Sequence, residues 1–232
     1  MSDGSKSAML PFLSQIYKEY RDKFIQKVLK KTLVVPWAKY REIEIVEEIL
    51  RKAQPEKCLE WGCGYGTLYF SERLKKTAVW ISVEHEKEWA AKIEGMNRNR
   101  QVQIHHVPAD HFPWSDPHRD GAYSDLKEYV DYPSRFAPFD FILVDGRARR
   151  DCLAKAHQLV REEGVVLLHD ANRVRYHESF HLFKHQALFT DGRTRSGGIW
   201  IGSRGTEIAH FLDLPRQREI YRLYRRFGKR LH

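Results

Sequence analysis

The sequence predicts an α/β protein with a doubly wound, mostly parallel sheet and helices ahead of it. Two observations support this fold class: short apolar strands alternate with helical segments along the chain, and a glycine cluster joins the first strand to the next helix. A chain of 232 residues is long enough to bury a sizeable core in one large domain. Cys58, Cys63 and Cys152 have no paired spacing, which favours small buried residues in a reducing compartment over a disulfide or zinc framework.

Two amphipathic helices are predicted first, at residues 9–31 and 38–53, because apolar residues recur there at helical spacing. Pro55 ends the second helix, since the residue before a proline disfavours helical backbone. Strands and helices then alternate, as parallel neighbours require, because each crossover needs a long connection. The predicted strands are 57–60, 78–84, 102–107, 139–145 and 164–169, the helices between them are 68–74, 87–97 and 148–161, and residues 199–201 form one arm of a late antiparallel hairpin.

The expected organisation is a helical segment at 1–54 packed on a domain of residues 55–212, followed by a basic helix at 213–232. Residues 111–137 are rich in proline, aspartate and tyrosine and form an insertion, and loops of this length often close over a substrate. No stretch reaches the roughly 18 apolar residues of a membrane helix, and the first residues lack a secretory pattern, so we expect a cytoplasmic protein without a membrane span. The formal net charge of +9 would attract polyanions such as nucleic acid, although the basic C-terminal run by itself favours a solvated helix face.

The strongest functional signal is a glycine loop that a strand enters and a helix leaves, with the sequence Glu60-Trp61-Gly62-Cys63-Gly64-Tyr65-Gly66. Glycines at such a turn allow positive φ angles and let a ligand approach the backbone closely. The G-x-G-x-G spacing differs from the G-x-G-x-x-G of dinucleotide-binding folds, which disfavours a nicotinamide-dependent oxidoreductase. Glu84 ends the next strand, where a carboxylate can accept hydrogen bonds from both hydroxyls of a ribose.

These residues resemble the class I S-adenosylmethionine-dependent methyltransferase family over most of the chain, from about residue 37 to residue 202. The first motif of that family, an acid followed by G-x-G-x-G, is matched by the segment that contains Glu60, Gly62, Cys63, Gly64 and Gly66. Its ribose-binding acid is matched by Glu84, and its adenine-contacting acid by Asp110. The resemblance implies S-adenosylmethionine as the cofactor, bound by these residues. It also implies a Rossmann-like methyltransferase fold whose seven-stranded sheet contains one antiparallel strand.

A metal site is predicted where the fourth and fifth strands end. Asp145 ends one strand and Asp170 follows the other, so both carboxylates reach the carboxyl edge of the sheet, and Asn172 adds an amide oxygen. These ligands suit a hard cation such as Mg²⁺, which can lower the pKa of an acceptor hydroxyl. The segments resemble the metal-dependent O-methyltransferases of the catechol and macrocin types, whose metal-binding aspartates are matched by Asp145 and Asp170. Two alternatives remain open: catalysis without a metal, with His169 or Asp145 as the base, and aspartates that only cap the following helices.

Arg147 and Arg149 follow Asp145 closely and suggest how an acceptor is bound. This segment resembles bacterial relatives of the glucuronoxylan methyltransferase domain, which methylate sugar acids, and a planar guanidinium group can bind a carboxylate or phosphate through two donors. The sequence therefore predicts an enzyme that methylates a hydroxyl of a small molecule or saccharide, with Asp145, His169 and Arg147 as catalytic residues. A nucleic-acid methyltransferase and an inactive binding protein with the same fold are the competing hypotheses. The oligomeric state stays open.

Overall fold

One sheet lies at the centre of the molecule in this computed structural model, which describes residues 3–30, 33–115, 118, 120–191 and 196–227. Its strands are β1 (Lys57–Trp61), β2 (Val79–Glu84), β3 (Val102–His106), β4 (Phe139–Val144), β5 (Val160–His169), β6 (His185–Phe189) and β7 (Ile199–Ser203). They are ordered β3-β2-β1-β4-β5-β7-β6. Every pairing is parallel except those of β7, which runs antiparallel to β5 and β6. The predicted seven-stranded, doubly wound sheet with one antiparallel strand is confirmed.

Helices cover both faces of this sheet, because the strands of a parallel sheet are apolar on both sides. The helices predicted from periodicity are all present, with ends displaced by a few residues. Those in the described chain are α1 (Asp3–Lys27), α2 (Tyr40–Ala53), α3 (Tyr65–Ser71), α4 (Lys87–Met96), α5 (Lys127–Asp131), α6 (Arg149–Leu159), α7 (Ile208–Phe211) and α8 (Leu214–Phe227), with 3-10 helices at Tyr132–Phe136 and Val174–Leu182.

Strand β1 illustrates how alternation divides the core into two layers. Leu59 and Trp61 are fully buried on one face of the sheet, in a cluster that includes Leu153 of α6. Cys58 is buried on the other face, in a cluster that includes Ile43 and Ile49 of α2. Successive side chains of a strand point to opposite faces, so one strand contributes to both layers. The three cysteines are free and buried, as the sequence predicts.

The strand order reverses between β1 and β4, which lie side by side at the middle of the sheet. Their carboxyl ends are in register, with Trp61 opposite Val144. The connections after β1 and β4 leave toward opposite sides of the sheet, which opens a crevice between them. Ligands of doubly wound sheets bind in such a crevice. The fold therefore places the glycine loop after β1 and Asp145 after β4 at the same edge.

The first and last helices pack against each other, and α8 also reaches the sheet, since the ring centre of Tyr221 lies 5.2 Å from that of Phe189 on β6. Ala8 and Phe12 of α1 form a small cluster with Ile220 and Leu223 of α8. The predicted amphipathic helix at 9–31 is thus present as α1, but its apolar residues do not all point inward, since Phe24 is exposed. Lys31, which belonged to the predicted helix, and the last residues of the predicted helix at 213–232 lie outside the described residues.

The insertion at 111–137 differs from the loop that its composition suggests. Its second half contains α5 and the 3-10 helix at Tyr132–Phe136. Leu126, Tyr129 and Val130 are at most 1% exposed and belong to the main core. Proline, aspartate and tyrosine dominate the composition of the segment and conceal this short apolar run. The second half of the insertion is therefore part of the packed domain and not a lid. No helix in the part of the chain described by the structure is both long and apolar enough to cross a membrane.

Candidate active site

A cleft of about 580 Å³ opens at the carboxyl ends of the central strands. The glycine loop after β1, Glu84 at the end of β2, Asp145 after β4 and His169 at the end of β5 line it. Residues 36–38 and the first turn of α2 close one side. The cleft has the size of a small-molecule site and lies where doubly wound sheets bind ligands.

Gly62 and Gly146 hold the turns after β1 and β4 against each other. Gly62 has a φ of +92°, a left-handed conformation that favours glycine, and a Cβ there would lie 2.4 Å from the Cα of Gly146. Gly64 differs, because its backbone is extended and the nearest heavy atom to an added Cβ would be 4.0 Å away. Gly66 would also accept a Cβ, with its nearest contact at 3.6 Å. The loop therefore needs Gly62 for its own geometry, whereas Gly64 leaves open space in the cleft.

Glu60 is buried beneath the glycine loop and holds it in place. Its Oε2 accepts hydrogen bonds from the Thr67 hydroxyl at 2.6 Å and the Ser82 hydroxyl at 2.5 Å. A third donor is the Trp80 indole N–H at 2.9 Å. Burial raises the pKa of the Glu60 carboxyl to about 7, although these donors act in the opposite direction. The Thr67 hydroxyl in turn accepts the N–H of Gly64 at 2.8 Å, so Glu60 supports the loop through Thr67.

Glu84 lies at the end of β2, beside the glycine loop. Its Oε2 accepts the backbone N–H of Cys63 at 3.1 Å, and its Oε1 accepts those of His85 at 2.8 Å and Glu86 at 2.9 Å. The carboxylate therefore has a fixed orientation beside the glycine loop. A carboxylate has about four lone-pair positions, so these contacts leave capacity for a ligand hydroxyl. Cys63 also lines the cleft, and burial raises the pKa of its thiol.

Asp110 does not join the other predicted cofactor residues. Its carboxylate accepts the backbone N–H of Glu128 at 3.0 Å, at the start of α5, and Asp110 is absent from the lining of the cleft. A carboxylate at the first turn of a helix satisfies a donor that has no partner within the helix. The structure thus gives Asp110 a capping contact, and its predicted contact with adenine stays without support.

His169 lies between two carboxylates from different parts of the chain. Its Nδ1 is 2.8 Å from Oδ1 of Asp145, and its Nε2 is 3.5 Å from Oε2 of Glu42 on α2. The Glu42 side chain is 2% exposed, while that of Asp145 is 38% exposed and faces the cleft. Glu42 is held by the backbone N–H of Lys39 at 3.0 Å and that of Gly198 at 2.8 Å. Asp145 is therefore the member of this group that a ligand can reach.

These three groups determine one another's charge. Burial lowers the pKa of His169, but the carboxylates of Asp145 and Glu42 outweigh it and raise that pKa to about 10. Burial likewise favours neutral carboxyls, yet His169 and Lys39 lower the pKa of Glu42 to about 2. His169 and Arg149 also lower the pKa of Asp145 against the effect of burial. At neutral pH the group is an imidazolium between two carboxylates.

Arg149 occupies the space between the two aspartates that the sequence predicts as metal ligands. Its guanidinium is 3.2 Å from Oδ1 of Asp145 and 3.1 Å from Oδ2 of Asp170. It also donates to the backbone carbonyls of Asp145, Gly146 and His169 at 2.9, 2.9 and 3.0 Å. Burial disfavours the charged form, but the two aspartates outweigh it and raise the pKa of Arg149. A single buried cation thus joins the ends of β4 and β5.

Asp170 and Asn172, the other predicted metal ligands, are not arranged to bind a divalent cation. Asp170 directs Oδ1 to the backbone N–H of Gly197 at 2.6 Å, and its Oδ2 also contacts Arg173 at 3.0 Å. The amide nitrogen of Asn172 donates to Asp191 at 2.6 Å and to the Ser196 carbonyl at 2.9 Å. No group of three acidic, histidine or cysteine side chains in the described ranges has the geometry to hold a metal ion. The two aspartates that the sequence suggests as Mg²⁺ ligands are engaged by Arg149, and Asp170 also by the backbone, while the amide oxygen of Asn172 is buried without a hydrogen-bond partner among the described residues.

Arg147 lines the cleft with a guanidinium group that is available to a ligand. Its guanidinium lies 5.3 Å from the centre of the Trp114 ring, and within the described residues no carboxylate lies within ion-pair distance of it. Its backbone N–H contacts the hydroxyl of Tyr129 at 3.4 Å. The sequence interpretation treats Arg147 and Arg149 as a pair that binds an acceptor. The structure separates them, since the side chain of Arg149 is 10% exposed and fully engaged.

Several residues of the cleft are missing from the sequence interpretation. Glu42 is one, because it comes from a helix far from the motifs in sequence. Trp37, Tyr65 and Trp89 are others and form an aromatic wall, with ring centres 5.2 Å apart for the two tryptophans. The Trp89 indole N–H also donates to the carbonyl of Cys63 at 2.7 Å. Only Tyr65, inside the glycine motif, carries a sequence signal that could have identified it.

Solved structures of methyltransferases share this fold. TomG of Streptomyces achromogenes, an O-methyltransferase involved in tomaymycin synthesis and solved with S-adenosylmethionine, is 17% identical, with a TM-score of 0.51 over 89% of this chain and 91% of that one. An O-methyltransferase from Bacillus cereus, solved with S-adenosylhomocysteine, is 14% identical, with a TM-score of 0.52 over 82% and 90%. A methyltransferase-like protein from Silicibacter pomeroyi is 21% identical, with a TM-score of 0.51 over 80% and 96%.

Sequence comparison adds no closer relationship, because no protein-family model and no curated protein sequence matches this chain. At identities this low the likeness establishes the Rossmann-like methyltransferase fold and no specific chemistry. Function therefore has to be argued from the cleft itself.

Proposed function

We propose that this protein is a methyltransferase that transfers the methyl group of S-adenosylmethionine to a hydroxyl of a small molecule or saccharide. One observation carries the proposal: a glycine loop with open space at Gly64, the fixed carboxylate of Glu84 and the accessible carboxylate of Asp145 line one cleft. Two structural neighbours with bound S-adenosylmethionine or S-adenosylhomocysteine support this choice of cofactor.

The residues of the cleft fit the parts of this cofactor. Glu84 offers the remaining lone pair of its Oε2 to a ribose hydroxyl, and the loop from Gly62 to Gly66 permits close approach of the amino-acid portion. Glu60 keeps that loop in position through Thr67. When bound, S-adenosylmethionine supplies a methyl group activated by a sulfonium. Trp37, Tyr65 and Trp89 offer an apolar surface on one side of the cleft, against which a ligand can pack.

Asp145 is the group that we assign to the acceptor hydroxyl. A bond forms between the hydroxyl oxygen and the methyl carbon, the bond from that carbon to sulfur breaks, and sulfur keeps the electron pair. The pKa of the O–H group falls steeply as its oxygen gains the methyl group, so a carboxylate is basic enough to accept the proton. His169 and Arg149 hold Asp145 in one orientation while leaving it exposed to the cleft. Positioning of this kind is a large part of catalysis.

No metal ion enters this mechanism, because the carboxylates that would bind it are engaged by Arg149. Arg149 takes the role of the balancing cation between Asp145 and Asp170. Arg147, which has no carboxylate partner in the described part of the chain, is the residue that we assign to recognition of an anionic group on the acceptor. An acceptor that carries a carboxylate, such as a sugar acid, suits this cation.

Calorimetric titration of S-adenosylmethionine and S-adenosylhomocysteine tests the proposal. The Gly64→Ala variant places a methyl group in open space, so it should fold normally while its affinity falls about tenfold or more, equivalent to about 1.4 kcal/mol. Gly95→Ala is the matched control, since an added Cβ on α4 meets nothing within 4 Å and Gly95 does not line the cleft.

Turnover of the folded protein is then measured with acceptors that carry hydroxyls, beginning with sugar acids and catechol-like compounds. Formation of S-adenosylhomocysteine that depends on the acceptor supports an enzyme. Cofactor binding without turnover for any acceptor would favour an inactive binding protein. Equal affinity of the wild type and Gly64→Ala, or no binding by folded wild type, would contradict the cofactor assignment.

A further inference from the structure

Helix α1 has a second apolar face that points away from the protein. Ala8 and Phe12, which contact α8, are 0% and 4% exposed. Large apolar side chains on the opposite side of the same helix remain in solvent: Leu10 (76% exposed), Leu13 (53%), Tyr17 (66%), Tyr20 (49%) and Phe24 (56%). At 100° per residue these five positions form one continuous stripe along about 21 Å of helix. We call this set the outer stripe.

The outer stripe concentrates apolar exposure in one place. Among the described residues, fourteen large apolar side chains are exposed, and seven of them lie between Leu10 and Leu29. Apolar residues scattered singly over a surface need no explanation, whereas a contiguous patch marks an interaction surface. None of the five stripe residues lines the cleft at the sheet edge. The stripe therefore serves a contact other than the binding of cofactor or acceptor.

Basic side chains accompany the stripe. Arg21 and Lys27 fall on its two borders, and Lys23 and Lys30 are exposed close by. The acids of this stretch point elsewhere: Asp22 is 8% exposed and accepts a hydrogen bond from Tyr40. Helix α8, which packs beside α1, carries five arginines and one glutamate, and Arg218, Arg225 and Arg226 are exposed. Because α8 packs on the inner face of α1, the cations that border the stripe are those of α1 itself.

We infer that the outer stripe docks on an anionic lipid bilayer, with α1 lying in the plane of the membrane surface. Leucine and aromatic side chains that enter the headgroup region, flanked by Lys and Arg that pair with anionic headgroups, are the features of an interfacial helix. A second copy of this chain fits less well, because its own stripe has the same cationic borders and offers no anionic surface to them. The basic side chains beside the stripe complement an anionic bilayer better than they complement a second copy of the chain.

The inference is tested by co-sedimentation of the full chain with vesicles. One set contains only phosphatidylcholine, and the other contains phosphatidylcholine with an equal part of phosphatidylglycerol. We expect binding to the anionic vesicles only, with affinity that falls as salt increases. Replacing Lys23 and Lys27 by glutamine should weaken binding about fivefold for each charge removed, from about 1 kcal/mol per basic residue near the surface.

A double variant, Leu13→Gln with Phe24→Gln, removes two of the five apolar side chains of the stripe. Both side chains are exposed, so the fold and S-adenosylmethionine binding should be retained while vesicle binding is lost. Val174→Gln is the matched control, because Val174 is 75% exposed and lies far from α1 in sequence. Unchanged vesicle binding by the double variant, equal binding to neutral vesicles, or no vesicle binding by the wild type would each overturn the inference. So would a dimer in sedimentation equilibrium that Phe24→Gln dissociates.

Discussion

Gly62 and its neighbour Gly146 bring two loops of the cleft closer together than any side chain permits. The separation of 2.4 Å between an added Cβ at position 62 and the Cα of Gly146 is shorter than real contacts allow. The φ of +92° adds strain for any other residue. A substitution here acts on folding as well as on any ligand, in contrast to one at Gly64.

We expect Gly62→Ala to lower the free energy of unfolding by about 2–4 kcal/mol, since backbone strain and overpacking act together. Urea denaturation monitored by tryptophan fluorescence measures the change. Gly95→Ala serves as the comparison, and it should be neutral or stabilise by up to about 1 kcal/mol because alanine favours helix more than glycine does. Equal midpoints for Gly62→Ala and wild type would mean that the two loops are not in contact.

The positive charge on His169 predicts how the free energy of unfolding depends on pH. Its pKa rises from 6.5 to about 10 on folding, so the native state holds a proton that the unfolded chain releases between these values. The stabilisation is complete below about pH 6.5 and is lost as pH rises through about 10. We therefore expect the unfolding free energy of the wild type to fall by a few kcal/mol across this interval.

His169→Gln should flatten that part of the profile, although it lowers stability overall by removing one of the two cations beside the buried Glu42, the other being Lys39 at 3.8 Å. Tyrosines, lysines and cysteines titrate in both proteins, so the difference between the two curves isolates His169. Urea midpoints collected from about pH 6 to about pH 10.5 at constant ionic strength give the comparison, a range that extends about half a unit beyond each transition. Parallel curves would contradict a charged His169 between two carboxylates.

Sequence motifs identify the cleft residues that lie near strand ends. They do not identify cleft residues that belong to other elements, such as the helix before the sheet. The glycine loop, Glu84 and Asp145 are found because strand pattern and topology place them at one edge. Glu42 reaches His169 from a helix that precedes the sheet, and that contact depends on how α2 packs. The sequence also does not show that Arg149 pairs with two aspartates, because Asp145 and Asp170 follow two different strands and only the fold brings them together.

At the scale of elements, helix α5 belongs to the core despite its polar surroundings in sequence. Leu126, which precedes the first residue of α5, is fully buried. Its side chain packs so closely on Gly121 that a Cβ added to Gly121 would lie 2.3 Å from it. A mobile lid would leave such a residue in solvent for part of the time. Composition predicts a loop here because proline and aspartate favour turns on average, whereas Asp120, Asp125 and Pro133 are buried in this fold.

Leu126→Ala should lower the free energy of unfolding by about 2–5 kcal/mol, the usual cost of a large cavity in a core. Urea denaturation measures this value, and Phe112→Ala in the exposed first half of the insertion is the comparison, with an expected change below about 0.5 kcal/mol. A change of similar small size for both variants would restore the interpretation of the whole insertion as a lid.

At the scale of the molecule, periodicity predicts the sheet well because its parallel strands are short, apolar runs separated by helices. The five parallel strands at 57–60, 78–84, 102–107, 139–145 and 164–169 all correspond to observed strands. The sequence does not identify β6, whose residues His185–Phe189 alternate between exposed and buried, because histidine and glutamine obscure the pattern. Helix α1 is predicted as a helix, but its two apolar faces become distinguishable only after α8 is seen against one of them.

The packing of α1 on α8 affects how the chain folds during synthesis. Phe12 and Ile220 are 208 residues apart, and the ribosome makes all seven strands between them. At roughly 5–20 residues per second, about 10–40 s pass before the partner of the inner face of α1 exists. During that time α1 can contact α2 but not α8, so Ala8 and Phe12 lack their apolar partners until α8 emerges from the ribosome.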